Sequence, residues 1–197
     1  MYTLGVNTAL QTSAICLCKD GEIVKEKTWN DQRRESELLL PAIVEMCEGI
    51  KIDDVLVVKG PGPFTGIRIG VVTANAMAQN MEAVSLHAIS TFELLDSMAA
   101  GNEYDSVILN AGGRTIFVYK NNFVETVQIE DLKDKKVVAD LTEKQLELID
   151  MNIVIEKNLL SFAQVCAKMS AGEDYEKYLV EDLPLLPYYV KEPSITL

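Results

Sequence analysis

The sequence contains a single histidine, His87, and that scarcity removes several kinds of chemistry. A metal site built from two or three imidazoles cannot be assembled within one chain. The paired histidines of a zinc protease helix are missing for the same reason. Ser-His-Asp catalysis would have to use His87, yet no Gly-x-Ser-x-Gly elbow is present. His87 ends an expected strand and reads as a structural histidine. The four cysteines, Cys16, Cys18, Cys47 and Cys166, include no CxxC pair. They read as buried thiols of a reducing compartment, so neither disulfides nor a stoichiometric metal are expected. Cationic charge is also short: 18 Lys plus Arg against 30 Asp plus Glu give 18 − 30 = −12. Affinity for nucleic acid comes largely from cations that neutralise phosphates, so the chain is a poor stand-alone nucleic-acid binder. No apolar run reaches the roughly 18 residues of a membrane span. The first residues lack a basic segment and are interrupted by Asn7, Thr8, Gln11 and Thr12, unlike a signal peptide. A soluble, cytoplasmic protein without a membrane partner is expected.

What is present suits a packed globular chain. Of 197 residues, 48% are hydrophobic and 24% charged, enough apolar content for a substantial core. Short Val-, Ile-, Leu- and Thr-rich runs predict strands at 2–7, 14–19 and 23–29, with Lys19-Asp20-Gly21 as the hairpin turn. Helical spacing of Leu38, Leu39, Ile43, Met46 and Cys47 predicts a helix over 34–48, stopped by Gly49. A buried strand at 55–59, a helix at 67–80, a strand at 83–86 and a helix at 91–100 capped by Ser90 complete a first unit. Its element order is that of a ribonuclease H-like subdomain. A second, similar series follows: strands at 106–109, 116–119, 123–129 and 136–139, a helix at 142–149, a strand at 152–155 and a helix at 159–171. The expected division is 1–101 and 102–197. Pro184, Pro187 and Pro193 exclude a regular helix from the tail. Paired carboxylates such as Asp53-Asp54 and Glu181-Asp182 read as solvated surface charge.

The most informative stretch is Lys59-Gly60-Pro61-Gly62-Pro63-Phe64-Thr65-Gly66-Ile67-Arg68-Ile69-Gly70. It joins a strand to a helix N-terminus through a glycine-rich turn. Such turns let backbone approach a phosphate, and the helix dipole favours an anion there. No Gly-Lys-Ser/Thr follows, so it is not a Walker A loop. From the residues alone, a structural tight turn and a phosphate cradle both stay open. Along the following helix Gly66, Gly70, Ala74 and Ala78 form one ridge of small residues. It can serve packing on the chain's own sheet or on a second molecule.

The same stretch resembles the G-P-G-S-F-T-G-x-R-I-G signature of the TsaB (YeaZ) family, a partner subunit in tRNA threonylcarbamoyladenosine synthesis. Residues 5–17 are similar to the family's opening hairpin, I-D-T-S/T-x-x-x-S-V-A-L. Ser36-Glu37-Leu38-Leu39-Leu40-Pro41 resembles H-S-E-x-L-L-P, Ala88-Ile89-Ser90-Thr91-Phe92-Glu93 resembles V-S-T/S-L-E, and Pro187-Tyr188-Tyr189-Val190-Lys191 resembles P-x-Y-L-R. Residues 131–182 carry little of it. The departures concern nucleotide chemistry. The family's opening Asp is Asn7, its helix-start His is Glu35, and its D-A-R segment is Asn110-Ala111-Gly112-Gly113-Arg114. Asn at the first position removes a charge that Mg²⁺ favours. Gly60, Gly62, Thr65 and Gly66 are accordingly expected to form a vestigial phosphate loop.

The resemblance implies an α/β fold of the actin-like ATPase (ASKHA) type, with two ribonuclease H-like subdomains, the second reduced. It implies a non-catalytic subunit without cofactor, which dimerises with and activates a TsaD-like catalytic subunit. That complex transfers threonylcarbamoyl to N6 of adenosine 37 in tRNAs reading ANN codons. A TsaE-like ATPase would contact the pair, and a homodimer would form when TsaD is absent. Three consecutive leucines cover about 200° of helix, more than an internal stripe needs, so Leu38–Leu40 supports an outward face. The interface expected is Leu39, Leu40, Ile43 and Met46 with Ile69, Thr73 and Met77. The rival readings are a stand-alone nucleotide-binding enzyme, an ATPase or small-molecule kinase, and a metallopeptidase.

Overall fold

The computed structural model describes residues 1–30 and 34–190. The chain divides into two compact units: Met1–Leu94 together with the chain from Ser161 onward, and Leu95–Leu160. In the first unit β1 (Tyr2–Asn7), β2 (Ser13–Lys19) and β3 (Glu22–Trp29) form a meander. Then come α1 (Glu35–Met46), β4 (Asp54–Val58), α2 (Phe64–Asn80), β5 (Ser85–Ile89) and α3 (Thr91–Met98), which runs into the second unit. The sheet order is β3-β2-β1-β4-β5, with β4 and β5 parallel to β1.

The second unit repeats that order with less material. It contains β6 (Ser106–Asn110), β7 (Thr115–Lys120), β8 (Phe123–Gln128), β9 (Lys136–Asp140), α4 (Glu143–Leu146) and β10 (Val154–Ile155). The order β10-β9-β6-β7-β8 is again a meander followed by two parallel strands on the other side. Asp20-Gly21 and Asn121-Asn122 close the equivalent hairpins with positive φ at both turn residues, the geometry that matches strand twist. The expected helix at 142–149 is a single turn. Thr142 and Gln145 form a capping box, and the Gln145 amide donates to the Gly113 and Thr115 carbonyls.

Alternation along the strands of the first sheet builds two faces. Leu4, Val6, Ile15, Leu17, Val55 and Val57 meet Leu39, Ile43, Val71 and Ala74 of α1 and α2. The opposite face, which includes Gly5, Cys16 and Cys18, is covered by α5 (Phe162–Ser170). This helix was expected in the second half but belongs to the first unit, because its buried Phe162, Val165 and Cys166 pack on β1 and β2. It begins at Phe162 rather than 159, where the Ser161–Gln164 capping box satisfies its first amides.

The tail then covers the edge of the parallel side. Leu179 bridges His87, and the Val180 amide donates to the Leu86 carbonyl at 2.8 Å. The Asn75 amide of α2 exchanges two hydrogen bonds with the Leu185 backbone, at 2.8 and 2.9 Å. The Tyr188 amide donates to the Lys59 carbonyl at 2.7 Å. An otherwise open strand edge is thereby paired. Pro184 and Pro187 lie in this non-helical tail, as expected; Lys191 and Pro193 fall outside the described residues.

The face under α5 carries a buried polar group. His87 is stacked on Tyr175, with ring centroids 4.0 Å apart and 11° between planes. Its Nδ1 lies 4.0 Å from Asp54 Oδ1, and neither ring nitrogen has a hydrogen-bond partner. Asp54 is therefore buried rather than solvated, although Asp53 beside it is half-buried and accepts from the Tyr2 amide at 2.7 Å. Adjacent strand residues point to opposite faces. Burial pushes His87 below the ordinary imidazole range, only partly offset by the Glu176 carboxylate. Burial, with Asp53 and Glu176, pushes Asp54 up. A histidine kept neutral in the fold contributes stability that is full above its unfolded pKa, about 6.5, and is lost as pH falls through it. Asp54 acts in the opposite sense: its contribution is present at low pH and is lost as pH rises through its folded value. Urea midpoints are expected to fall from pH 7 to pH 5.5. His87→Phe, which keeps the stack and loses the titration, should flatten that fall, and Asp54→Asn should steepen it.

Candidate functional site

The glycine-rich segment 60–66 links β4 to α2 and lies against the hairpin between β1 and β2. A Cβ at Gly62 would stand 2.1 Å from the Ala9 carbonyl oxygen, and one at Gly66 would stand 2.2 Å from that of Thr8. One turn further on, a Cβ at Gly70 would meet Thr8 Oγ1 at 2.4 Å. The Thr8 hydroxyl donates to the Gly66 carbonyl at 2.7 Å. Gly60 has φ +106°, and a Cβ there would be 2.6 Å from the Tyr188 carbonyl. These glycines thus admit the chain's own backbone. Of the expected loop residues, Gly60 and Gly66 are buried, Gly62 is half-buried and Thr65 faces outward.

Asn7 is buried, and its Oδ1 accepts from the Ala9 amide at 3.0 Å. The side chain in the family's aspartate position is therefore used to fold the hairpin turn, as Asn commonly does. Glu35, at the start of α1, is buried and accepts from the Ser13 hydroxyl. A carboxylate suits the first turn of a helix. Helical periodicity does not mark it, since its burial depends on contact with β2.

The small-residue ridge resolves in favour of internal packing: Gly66, Gly70 and Ala74 are buried and Ala78 is half-buried. The expected interface residues separate into two groups. Leu39 is 1% exposed and, with Ile43 and Met46, belongs to the core between α1 and the sheet. These three are corrected to core residues, because the helix phase turns them inward. Ile69, Thr73 and Met77 are half-buried along the flank of α2. Leu40 is 58% exposed, and next to it in helical phase Val44 is 64% exposed. On α2, Val72 is 65% exposed, and Arg68 covers the ring of half-covered Phe64 at 4.6 Å. The outward aliphatic side chains of the helix pair are therefore Leu40 and Val44 on α1 and Val72 on α2. The position of Leu40 was legible in the leucine run; Val44 and Val72 were not singled out.

A glycine-to-alanine change in an open helix stabilises by about 1 kcal/mol. At Gly66 the added methyl meets a carbonyl instead, so Gly66→Ala is expected to destabilise by ~1–3 kcal/mol in urea unfolding. A stabilised variant would mean that hairpin and helix are not in this contact.

Comparison with known proteins agrees with this architecture. A family model described as TsaD, tRNA N6-adenosine threonylcarbamoyltransferase, matches residues 22–172. The tRNA threonylcarbamoyladenosine biosynthesis protein TsaB of Bacillus subtilis (strain 168) is 29% identical over 139 residues. That match covers 64% of this chain and 59% of the relative's length. The solved structure of YeaZ from Pseudomonas aeruginosa superposes with a TM-score of 0.72 at 18% identity, over 96% of this chain and 99% of that one. A second structure from that organism, described as similar to peptidase YEAZ, gives 0.72 at 17% identity, with 96% and 99% covered. Among the described residues no helix is long and apolar enough to cross a membrane. The fold is α/β of the actin-like ATPase type, and the chain belongs to the TsaD family of tRNA N6-adenosine threonylcarbamoyltransferases, where its likeness runs to the TsaB (YeaZ) proteins.

Proposed function

We propose that the chain is a non-catalytic subunit in the synthesis of threonylcarbamoyladenosine on tRNA, and that it binds and activates a TsaD-like catalytic chain. The observation that carries this reading is the outward apolar face of Leu40, Val44 and Val72 on two adjacent helices. Exposed aliphatic side chains on two packed helices suit burial against a partner. In the absence of the catalytic chain the same face would pair with a second copy, and a TsaE-like ATPase would join the assembled pair. The net charge of −12 suits a subunit that leaves tRNA binding to its partner. The hairpin packed into the glycine segment favours a supporting role over nucleotide chemistry.

The test is size-exclusion chromatography with light scattering, for the chain alone and mixed with the TsaD-like protein of the same organism. A stoichiometric complex is expected, and Leu40→Glu or Val72→Glu should abolish it. Both side chains are exposed, so each variant should keep its unfolding free energy within about 0.5 kcal/mol. Leu39→Ala is the contrast: it should cost ~2–5 kcal/mol of stability through its core position. A complex that survives both charge substitutions would place the partner elsewhere.

The rival reading, an actin-like-fold ATPase or small-molecule kinase, is favoured by the fold and by the strand–glycine turn–helix order of 54–80. Mg-ATP at 100 times its dissociation constant would stabilise such an enzyme by about 2.7 kcal/mol. No thermal shift is expected. A shift of that size would replace the subunit reading.

A further inference from the structure

The sequence separates Cys166 from Cys16 and Cys18 by most of the chain, but the fold brings the three together. Their Sγ atoms all lie within 4.8 Å of one another, and all three residues are fully buried. Cys16 and Cys18 share one face of β2, and Cys166 reaches them from α5. Gly5, across from Cys16 on β1, leaves the space the sulfurs occupy. A Cβ at Gly5 would stand 2.6 Å from Cys16 Sγ and 2.9 Å from Cys166 Sγ. Near the trio lies Tyr175, whose phenol is pushed up by burial first and then by Cys166, Asp54 and Cys18. Its hydroxyl is buried and has no hydrogen-bond partner.

We infer that Cys16, Cys18 and Cys166 form a site for one thiophilic d¹⁰ cation, Cu⁺ or Zn²⁺. Thiolates select these ions over hard cations. Metal–sulfur bonds of about 2.3 Å require each sulfur to move inward by roughly 0.5 Å from a triangle of 4.8 Å sides, within side-chain adjustment. Binding exchanges thiol protons for the cation, so uptake releases protons and weakens as pH falls. The ion would tie α5 to β2. Spacing could not disclose this site, because it lacks a CxxC pair and its third ligand comes from a distant helix.

The test uses the full chain, purified under reducing conditions without chelator or affinity tag, and titrated separately with Zn²⁺ and with Cu⁺ held by competing ligands. One equivalent of one of these ions should survive dialysis. Cu⁺ should give thiolate-to-metal charge transfer with emission from a water-shielded site, and Zn²⁺ should bind without either signal. Cys166→Ser should weaken binding at least tenfold. Cys47→Ser, outside the trio, should bind as the unaltered chain does. Should Cys166→Ser fail to fold, Cys18→Ser and the stoichiometry of the unaltered chain decide. No retained metal, equal loss in Cys47→Ser, or full binding in a folded Cys166→Ser or Cys18→Ser would overturn the site.

Discussion

The structure depends on how closely α2 approaches the hairpin between β1 and β2. Two carbonyls, of Thr8 and Ala9, lie where side-chain carbons at Gly66 and Gly62 would otherwise stand. The Thr8 hydroxyl closes the contact on the Gly66 carbonyl. The position of α2 over the sheet follows from this approach, and three surfaces of that helix then acquire separate tasks. The glycine edge meets the hairpin, Val71 and Ala74 fill the core, and Asn75 holds the tail through Leu185. The outward side carries Val72, and the neighbouring helix α1 exposes Leu40 and Val44.

The same strand order serves both units, yet the crossovers differ. In the first unit α1 and α2 pack on one face of the sheet, with Leu39, Ile43, Met46, Val71 and Ala74 buried. In the second, β8 reaches β9 through the 3₁₀ turn Ile129–Asp131, and β9 reaches β10 through a four-residue helix. Its core of Ile108, Ile116, Ile129, Val137 and Leu141 is correspondingly small. Regions with few buried apolar contacts open locally at lower free energy. Hydrogen exchange should therefore be faster in Leu95–Leu160 than in the first sheet.

Local chemistry makes much of this legible in the sequence. The meanders, the glycine segment and the helix that follows it are each decided by residues close in sequence. What stayed hidden required distant partners. Leu38–Leu40 announces a wide apolar arc but not its phase, and packing on the sheet turns Leu39 inward and leaves Leu40 outside. Asp53-Asp54 reads as a surface pair until β4 turns one of them under the tail. The thiols acquire their third member only when α5 returns to the first unit. That return also moved the unit boundary, because the apolar stripe of α5 does not say which sheet it covers.

A glycine turn at a helix N-terminus can cradle a phosphate or admit another piece of backbone. Here the carbonyls of Thr8 and Ala9 lie where side-chain carbons at Gly66 and Gly62 would stand, and the Asn7 amide folds the turn that brings them there. The consequence for recognition is mechanical. A helix fixed by backbone contact on one edge and by the Asn75–tail bonds on another loses little freedom when a partner covers its outer side. Association then has less ordering entropy to offset. Three aliphatic side chains cannot supply a standard interface of about 800 Å² per partner. They can form its dry centre, where a few residues carry most of the binding energy. The contact between hairpin and glycine segment thus fixes the outer side of α2 in place.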